Sequence, residues 1–555
     1  MFHDISQFST SRHYSRIPPN SYLAQRVALV IFLMTCAFCV ITIRFLYLGA
    51  LSPTPLSPEV TIKKKPLILD KNGHILATNI PTHSLYMNAK KVINIRKTME
   101  IITLLFPQAR FSYIQEEIEK KSSFIWIQRF LTPTQKEKSL QKGLVGCGFH
   151  NDWRRVYPLQ NVLAHIIGFR DIDDMGVSGI ERYIDTLNNH DYNQPIELSI
   201  DMRIQDVMFD ALNEGMRRFS AKSAGGIILN VHTGEIIAMC SLPDFDPNDM
   251  AKRVGDHTFN HMLQSSFEFG SIMKIFSFAQ GIEEGKVSLN TELKTRKNLR
   301  IGKFTIKDHY PKSYNLSVAE SFLFSSNIGT VQVFKTFGQD KQKKFFHEIG
   351  LFSNTPIEIT EQSQPTSDIN WSFTRGAIAA YGYGIALSPL QFLVASSSIV
   401  TGKRCKPTIL KQYEPQKCSS INLKSSTVDS MRRLLYQTAE TGTARKAAFA
   451  EYAVGAKTGS TLKRAGAKGY SDQKSRVFIV TFFPMTNPQY AMLLMMDEPR
   501  GTKETFYFSA SGWNVAPIAQ KIIKRIGPIL GLQALNPQEI LELKEKFRIP
   551  ARDTS

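Results

Sequence analysis

Three short motifs hold side chains that together can carry out nucleophilic acyl transfer. Ser271-Ile272-Met273-Lys274 places a hydroxyl and an amine at i and i+3. Ser325-Ser326-Asn327 adds a second hydroxyl and an amide, and Lys457-Thr458-Gly459-Ser460 adds a second amine. On a helix, positions i and i+3 share one face about a turn apart, so Lys274 can sit beside the Ser271 hydroxyl. Serine is a weak nucleophile at its own pKa and needs a base. A lysine serves as one only when neutral, and burial and a neighbouring cation both disfavour its ammonium form; Lys457 is the candidate neighbour. Gly270 suits a tight entry into a helix N-terminus, where free N–H groups favour a developing oxyanion. A lone Ser-x-x-Lys is commonplace in a chain of 555 residues, whereas all three motifs in order and in context are not.

The segments around the motifs say what must position them. Runs 477–483 and 490–496 are apolar and partly β-branched, with a Pro- and Asn-containing link at 484–488, which predicts a hairpin. Segment 452–461 reads as a strand beside it. There Gly459 would allow close backbone approach, and an extended peptide can add as a further strand. Runs 225–231 and 235–241 around His232-Thr233-Gly234 predict another hairpin. Two early strands, a helical middle and a late hairpin next to the Lys457 strand predict an α/β sandwich around a mostly antiparallel sheet.

The three-motif set is shared by penicillin-binding proteins and class A β-lactamases. The chain resembles class B penicillin-binding proteins, most closely the division-specific, FtsI-type DD-transpeptidases, from about residue 63 to about residue 521. Asp70-Lys71-Asn72-Gly73 with Leu76-Ala77 is similar to the family's D-R-N-G-x-x-L-A segment. Arg155-Val156-Tyr157-Pro158, His165-Ile166-Ile167-Gly168 and Ser178-Gly179-Ile180-Glu181 resemble its pedestal motifs. Leu198-Ser199-Ile200-Asp201 with Arg203 and Gln205 resembles the entry to its catalytic domain. Glu268, Gly384-Ile385-Ala386, Gly442-Thr443-Ala444 and Ala510-Ser511-Gly512-Trp513-Asn514 fall where relatives carry similar segments. The chain departs from the family at Phe269 (usually Pro), Ala456 (Gly), Ser460 (Thr) and Lys65-Pro66 (Arg-Gly); none of these removes a reacting group.

The resemblance implies a penicillin-binding transpeptidase fold, α/β (α+β), with a mostly antiparallel sheet flanked by helices, an elongated N-terminal pedestal and one transmembrane helix. It implies that Ser271 attacks the penultimate D-Ala carbonyl of a peptidoglycan stem peptide, with Lys274 as base. Ser325 then shuttles a proton to the leaving amine, and Asn327 holds the peptide amide and the lysine. Lys457 and Thr458 bind the terminal carboxylate, Gly459 and Ser460 line the donor, and the Ser271 and Ser460 N–H groups form the oxyanion hole. No metal and no cofactor are expected. The implied partners are stem peptides ending in D-Ala-D-Ala, β-lactams, the inner membrane, a septal glycosyltransferase and other divisome proteins.

Three alternatives stand beside this reading. An elongation-specific class B enzyme is the nearest, and the Trp513-Asn514 context leans against it. A β-lactamase shares the motifs, but no E-x-x-x-N segment follows Ser-x-Asn to supply the deacylating Glu of class A enzymes. An inactive division scaffold would not need an intact Ser271, Lys274, Ser325, Asn327 and Lys457. A bifunctional enzyme is disfavoured because 61–195 is short for a glycosyltransferase domain.

Composition frames these readings. Segment 27–43 is uncharged and mostly apolar, and continues past Arg44 through Phe45-Leu46-Tyr47-Leu48, long enough to span a bilayer once. Arg12, Arg16 and Arg26 against Asp4 predict a cytoplasmic N-terminus. A cleaved signal peptide is the competing reading, with Ala50-Leu51-Ser52 as the cleavage site, but the apolar run exceeds the usual h-region. The expected organisation is a tail at 1–26, an anchor at 27–48, a stiff linker at 49–60, a pedestal at 61–195, a transpeptidase domain at 196–530 and a charged helical tail at 531–555. The catalytic part is thus expected in the periplasm of a single-pass inner-membrane protein. The net charge of +20 is spread along the chain without a nucleic-acid motif, so membrane or wall polymer is the simpler attractor. The six cysteines form no metal pattern, and pairing of Cys405 with Cys418 is left open.

Overall fold

The structure, a computed structural model, describes residues 21–50, 64–187, 191–414, 416–464 and 470–549. The chain divides into two compact units, residues 1–63 and 64–555. In the first, helix α1 (Ser21–Ala50) contains Gln25–Tyr47, an exposed segment long and apolar enough to cross a membrane. A helix satisfies its own backbone polar groups, as a bilayer core demands. Two polar side chains within it are also satisfied internally: the Thr35 and Thr42 hydroxyls donate to Ile31 O and Phe38 O, each at 2.8 Å. The basic N-terminal tail before Ser21, the Pro-rich linker after Ala50 and the end of the chain beyond residue 549 lie outside the described residues.

The second unit begins with an antiparallel arrangement of β1 (Ile75–Met87), β2 (Ile125–Leu131) and β3 (Cys147–Val156), in which β1 pairs with both others. Leu85, Met87, Ile125, Ile127 and Leu131 close one small core with Ile102, Phe106 and Ile114 from the intervening helices. The motifs at 155 and 178–181 meet in a buried ionic network. Arg155 Nε donates to Glu181 Oε1 at 2.6 Å, and Arg170 Nη1 donates to Glu181 Oε2 at 3.0 Å. Breaking one partner of such a buried pair strands the other charge, which explains why the arginine and glutamate come as a set.

The rest of this unit is built on an antiparallel five-stranded sheet, in the spatial order Gly455–Arg464, Tyr470–Phe483, Tyr490–Asp497, Ser223–Asn230 and Ile236–Leu242. After helix α2 (Met202–Arg218) come β4 (Ser223–Asn230) and β5 (Ile236–Leu242). Helices α3 (Lys274–Glu283), α4 (Asn327–Lys335), α5 (Pro389–Thr401) and α6 (Ser425–Glu440) follow. Strands β6 (Gly455–Arg464), β7 (Tyr470–Phe483) and β8 (Tyr490–Asp497) then precede helix α7 (Val515–Ile526). Because side chains alternate along a strand, Val477 and Ile479 join the core with α2 and α7, whereas Phe478 and Val480 join the core with α3 and α5. Helices on both faces therefore explain the unbroken apolar runs in β7 and β8. Both predicted hairpins and the Lys457 strand form as expected.

Two features go beyond what the sequence decides. A disulfide joins Cys405 to Cys418. The terminal stretch is more than a charged tail: helix α8 (Pro537–Lys546) and Phe547 dock onto α6, with the Phe547 and Tyr436 rings 5.2 Å apart and Leu543 buried.

Candidate active site

Ser271 lies in a 3-10 turn, Gly270–Met273, that runs directly into α3 at Lys274. With three residues per turn, i and i+3 eclipse, so Ser271 and Lys274 project from the same side. The turn is tight because Gly270 takes φ +56°, and a Cβ there would lie 2.6 Å from Ser460 O. Strand β6 makes the reciprocal concession, since a Cβ on Gly459 would lie 2.6 Å from Phe269 O and 3.0 Å from Ile272 N. Gly459 thus first serves the turn that carries Ser271, whose backbone occupies the space a side chain would need. Phe269 is buried between Phe392 and Phe478, each ring 4.7 Å away.

Lys274 and Lys457 are both fully buried, and the second motif lies between them. Ser325 adopts φ +63°, a conformation uncommon for a residue with a side chain. In it, Ser325 O accepts from Lys274 Nζ at 2.6 Å, and Ser325 Oγ lies 3.1 Å from Lys274 Nζ and 3.0 Å from Lys457 Nζ. Asn327 Oδ1 takes a further Lys274 hydrogen bond at 2.8 Å. Among the described residues, Lys274 Nζ makes no hydrogen bond to Ser271 Oγ; its partners all belong to the second motif. Catalytic contacts in a ligand-free site commonly close only when substrate arrives.

Burial pushes the Lys274 amine well below the ordinary lysine range, and the neighbouring Lys457 cation pushes in the same direction against Asp308. Burial also lowers Lys457, to about 7. Both shifts favour the neutral amine, the form a lysine base requires.

Several residues that the motifs do not single out complete the arrangement. Asp308 accepts from Ser326 Oγ at 2.7 Å and from Ile328 N at 3.0 Å, so it pins the start of α4 and with it Asn327. The Lys307 carbonyl accepts from Asn327 Nδ2 at 2.9 Å and fixes the amide orientation. Thr458 Oγ1 donates to Thr443 Oγ1 at 2.9 Å, and Ser460 Oγ lies 2.8 Å from Ser511 Oγ. Thr443 and Ser511 sit in segments that resemble the family, but neither has a spacing that announces a site. Asp308 carries no sequence signal at all. A cavity of about 460 Å³, lined by segment 305–309, Asn327 and Tyr381, opens beside the second motif.

This arrangement of a serine at a helix entry, two buried lysines and an edge strand defines an active-serine acyl-transfer class. The chain belongs to the penicillin-binding protein transpeptidase family: the model of the penicillin-binding protein transpeptidase domain matches residues 224–524, and that of the penicillin-binding protein dimerisation domain matches residues 66–187. It is 30% identical to the probable peptidoglycan D,D-transpeptidase FtsI of Caulobacter vibrioides, over 84% of this chain and 81% of the relative. It is 28% identical to the probable peptidoglycan D,D-transpeptidase PenA of Neisseria gonorrhoeae, over 92% and 94%. The crystal structure of penicillin-binding protein 3 from Mycobacterium tuberculosis in complex with aztreonam shares the fold, with TM-score 0.67 and 19% identity over 85% of this chain and 98% of that one.

Proposed function

We propose that this protein is a serine D,D-transpeptidase that cross-links peptidoglycan stem peptides at the division septum and is acylated by β-lactams. The observation that carries the reading is Ser325 Oγ held between two buried amines, 3.1 Å from Lys274 and 3.0 Å from Lys457. In the first step Ser271 Oγ attacks the penultimate D-Ala carbonyl, and its proton passes to neutral Lys274 Nζ. A neutral amine keeps one lone pair and two donors, so Lys274 can accept that proton while still bonded to Ser325 O and Asn327 Oδ1. Collapse of the tetrahedral intermediate breaks the C–N bond. The proton that Lys274 took from Ser271 passes through Ser325 Oγ, 3.1 Å away, to the leaving amine, and terminal D-Ala departs. The amine of a second stem peptide then attacks the acyl carbon, the C–Oγ ester bond breaks, and the proton the amine sheds returns through Lys274 to Ser271 Oγ.

Lys457 and Thr458 line the donor's carboxylate end, beside Gly459 and Ser460. The Ser271 and Ser460 N–H groups stabilise the oxyanion, an effect often worth about 3–4 kcal/mol per donor. The reading extends to topology. Helix α1 anchors the protein in the inner membrane with its N-terminus in the cytoplasm, residues 61–195 form the pedestal, and residues 196–530 act in the periplasm alongside a septal glycosyltransferase and other divisome proteins. The FtsI-type relatives favour the septal role; elongation is the alternative. Labelling of membranes with a fluorescent penicillin tests the core of the proposal. The wild type is expected to label one-to-one and Ser271→Ala not at all, with equal protein in the membrane. Full labelling of Ser271→Ala would remove Ser271 from its role.

A further inference from the structure

Ser511 is buried, 2% exposed, in the segment leading into α7. Its Oγ donates to the Gly459 carbonyl and also lies 2.8 Å from Ser460 Oγ. A carbonyl oxygen only accepts, and a serine hydroxyl owns a single proton. With the Ser511 proton on Gly459, the bond between the two hydroxyls must be donated by Ser460. The hydroxyl of Ser460, an exposed residue, therefore turns its proton inward and keeps only lone pairs for a ligand. Its neighbour behaves alike, since Thr458 Oγ1 donates inward to Thr443 Oγ1. Both hydroxyl protons of the third motif are thus spoken for before any ligand arrives.

We infer that Ser511 is a specificity-determining positioning residue, which acts through the Ser460 proton to disfavour acyl donors bearing a terminal carboxylate relative to donors without one. The inference rests on the proposed reading that Ser460 lines the donor's carboxylate end. A carboxylate arriving there needs a hydrogen-bond donor. Ser460 can provide one only by giving up its bond to Ser511, whereas a donor that lacks the carboxylate makes no such demand. One neutral hydrogen bond is at stake, which corresponds to a rate ratio of about two- to tenfold.

The test uses the full-length protein in detergent and compares second-order acylation rate constants for benzylpenicillin and its methyl ester, which share the ring and differ in the carboxylate. Ser511→Ala is expected to raise the acid-to-ester rate ratio about two- to tenfold, and Ser511→Gly, also without a hydroxyl, is expected to do the same. Ser511→Thr keeps the hydroxyl and is expected to hold the wild-type ratio. In a Ser460→Ala background the effect of Ser511→Ala should vanish, as a double-mutant cycle requires for an action through Ser460. A purely structural role would slow both compounds alike. An acylated wild type whose ratio is unmoved or lowered in Ser511→Ala and Ser511→Gly overturns the inference alone. A wild type that neither compound acylates overturns the transpeptidase reading and the inference with it.

Discussion

Lys274 and Lys457 are both fully buried, and their amines approach one and the same oxygen, Ser325 Oγ, at 3.1 and 3.0 Å. Two ammonium groups so placed repel each other through a poorly solvated medium, so protonation of one makes protonation of the other harder. The pair then titrates as a unit rather than as two independent lysines. The asymmetry lies in Lys274, which feels Lys457 as well as its own burial. On the proposed reading, Lys274 is thus the amine suited to act as a base and Lys457 the one suited to meet the donor's carboxylate.

The first prediction follows from that asymmetry. Acylation by benzylpenicillin should rise with pH as Lys274 loses its proton, then fall as Lys457, with a pKa of about 7, loses its charge. Removing the neighbouring cation relieves the repulsion that lowers Lys274, so Lys457→Ala should move the acid limb to higher pH and remove the alkaline limb. Lys274→Ala should abolish acylation at every pH. Stopped-flow acylation rates from pH 5 to pH 10 check this. An acid limb that stays put in Lys457→Ala would contradict the coupling.

The second prediction separates the hydroxyl of Ser325 from its backbone. Ser325→Ala retains the carbonyl that holds Lys274 but loses the oxygen shared by the two lysines, so acylation should fall by about a hundredfold or more, as for loss of a proton-transfer group. Ser325→Gly loses the same hydroxyl and also relaxes the φ of +63°. It should therefore be as inactive as Ser325→Ala yet more stable by about 1 kcal/mol. Thermal denaturation of the two variants measures the difference. Equal stabilities would show that the backbone there carries no strain.

Much of this site is legible in the amino-acid sequence. The three motifs mark their own residues because each packs two chemistry-bearing side chains into three or four positions. The strands are legible because alternation and apolar runs repeat along many residues. Asp308, Thr443 and Ser511 lack any such redundancy. Each is a single polar residue that bonds to a partner distant in sequence, as Ser511 does to Gly459, and neither period nor spacing records such a meeting. The docking of α8 is hidden for a related reason: its buried anchors, Leu543 and Phe547, are isolated apolar residues in a highly charged segment. The purpose of Gly459 is half-visible. Close approach is the right physics, but the approaching backbone includes that of Phe269 and Ile272.

The third prediction concerns that approach. Gly459→Ala would push a methyl group to 2.6 Å from Phe269 O and 3.0 Å from Ile272 N, and backbone cannot step aside as a flexible side chain can. It should destabilise the protein by about 1–3 kcal/mol, as overpacking does, and also slow acylation by displacing the turn that carries Ser271. Gly285 is the matched control: an added Cβ meets nothing within 4 Å, although φ is +64°. Gly285→Ala should cost about 1 kcal/mol from its backbone alone and leave acylation unchanged. Melting temperatures paired with acylation rates distinguish the two, and a Gly459→Ala variant that acylates at the wild-type rate would show that the close contact does not govern the nucleophile.

The fourth prediction concerns the fate of the acyl-enzyme. Hydrolysis needs a base to activate water on the acyl carbon, and two carboxylates beside the motifs, Glu268 and Asp308, are already engaged with backbone amides and a hydroxyl. Glu268 Oε1 accepts from Gly384 N at 2.7 Å, and both oxygens of Asp308 are taken by Ser326 Oγ and Ile328 N. Freeing either carboxylate would leave buried or half-buried donors unpaired, which costs about 1–3 kcal/mol per group. Benzylpenicillin should therefore leave a covalent adduct on Ser271 that mass spectrometry still finds after hours, with little penicilloic acid in solution. An acceptor amine, which arrives as a stronger nucleophile than water, should shorten the lifetime of an acyl-enzyme formed from a stem-peptide thioester. Rapid multiple-turnover release of penicilloic acid would instead mark the protein as a hydrolase and overturn the transpeptidase reading.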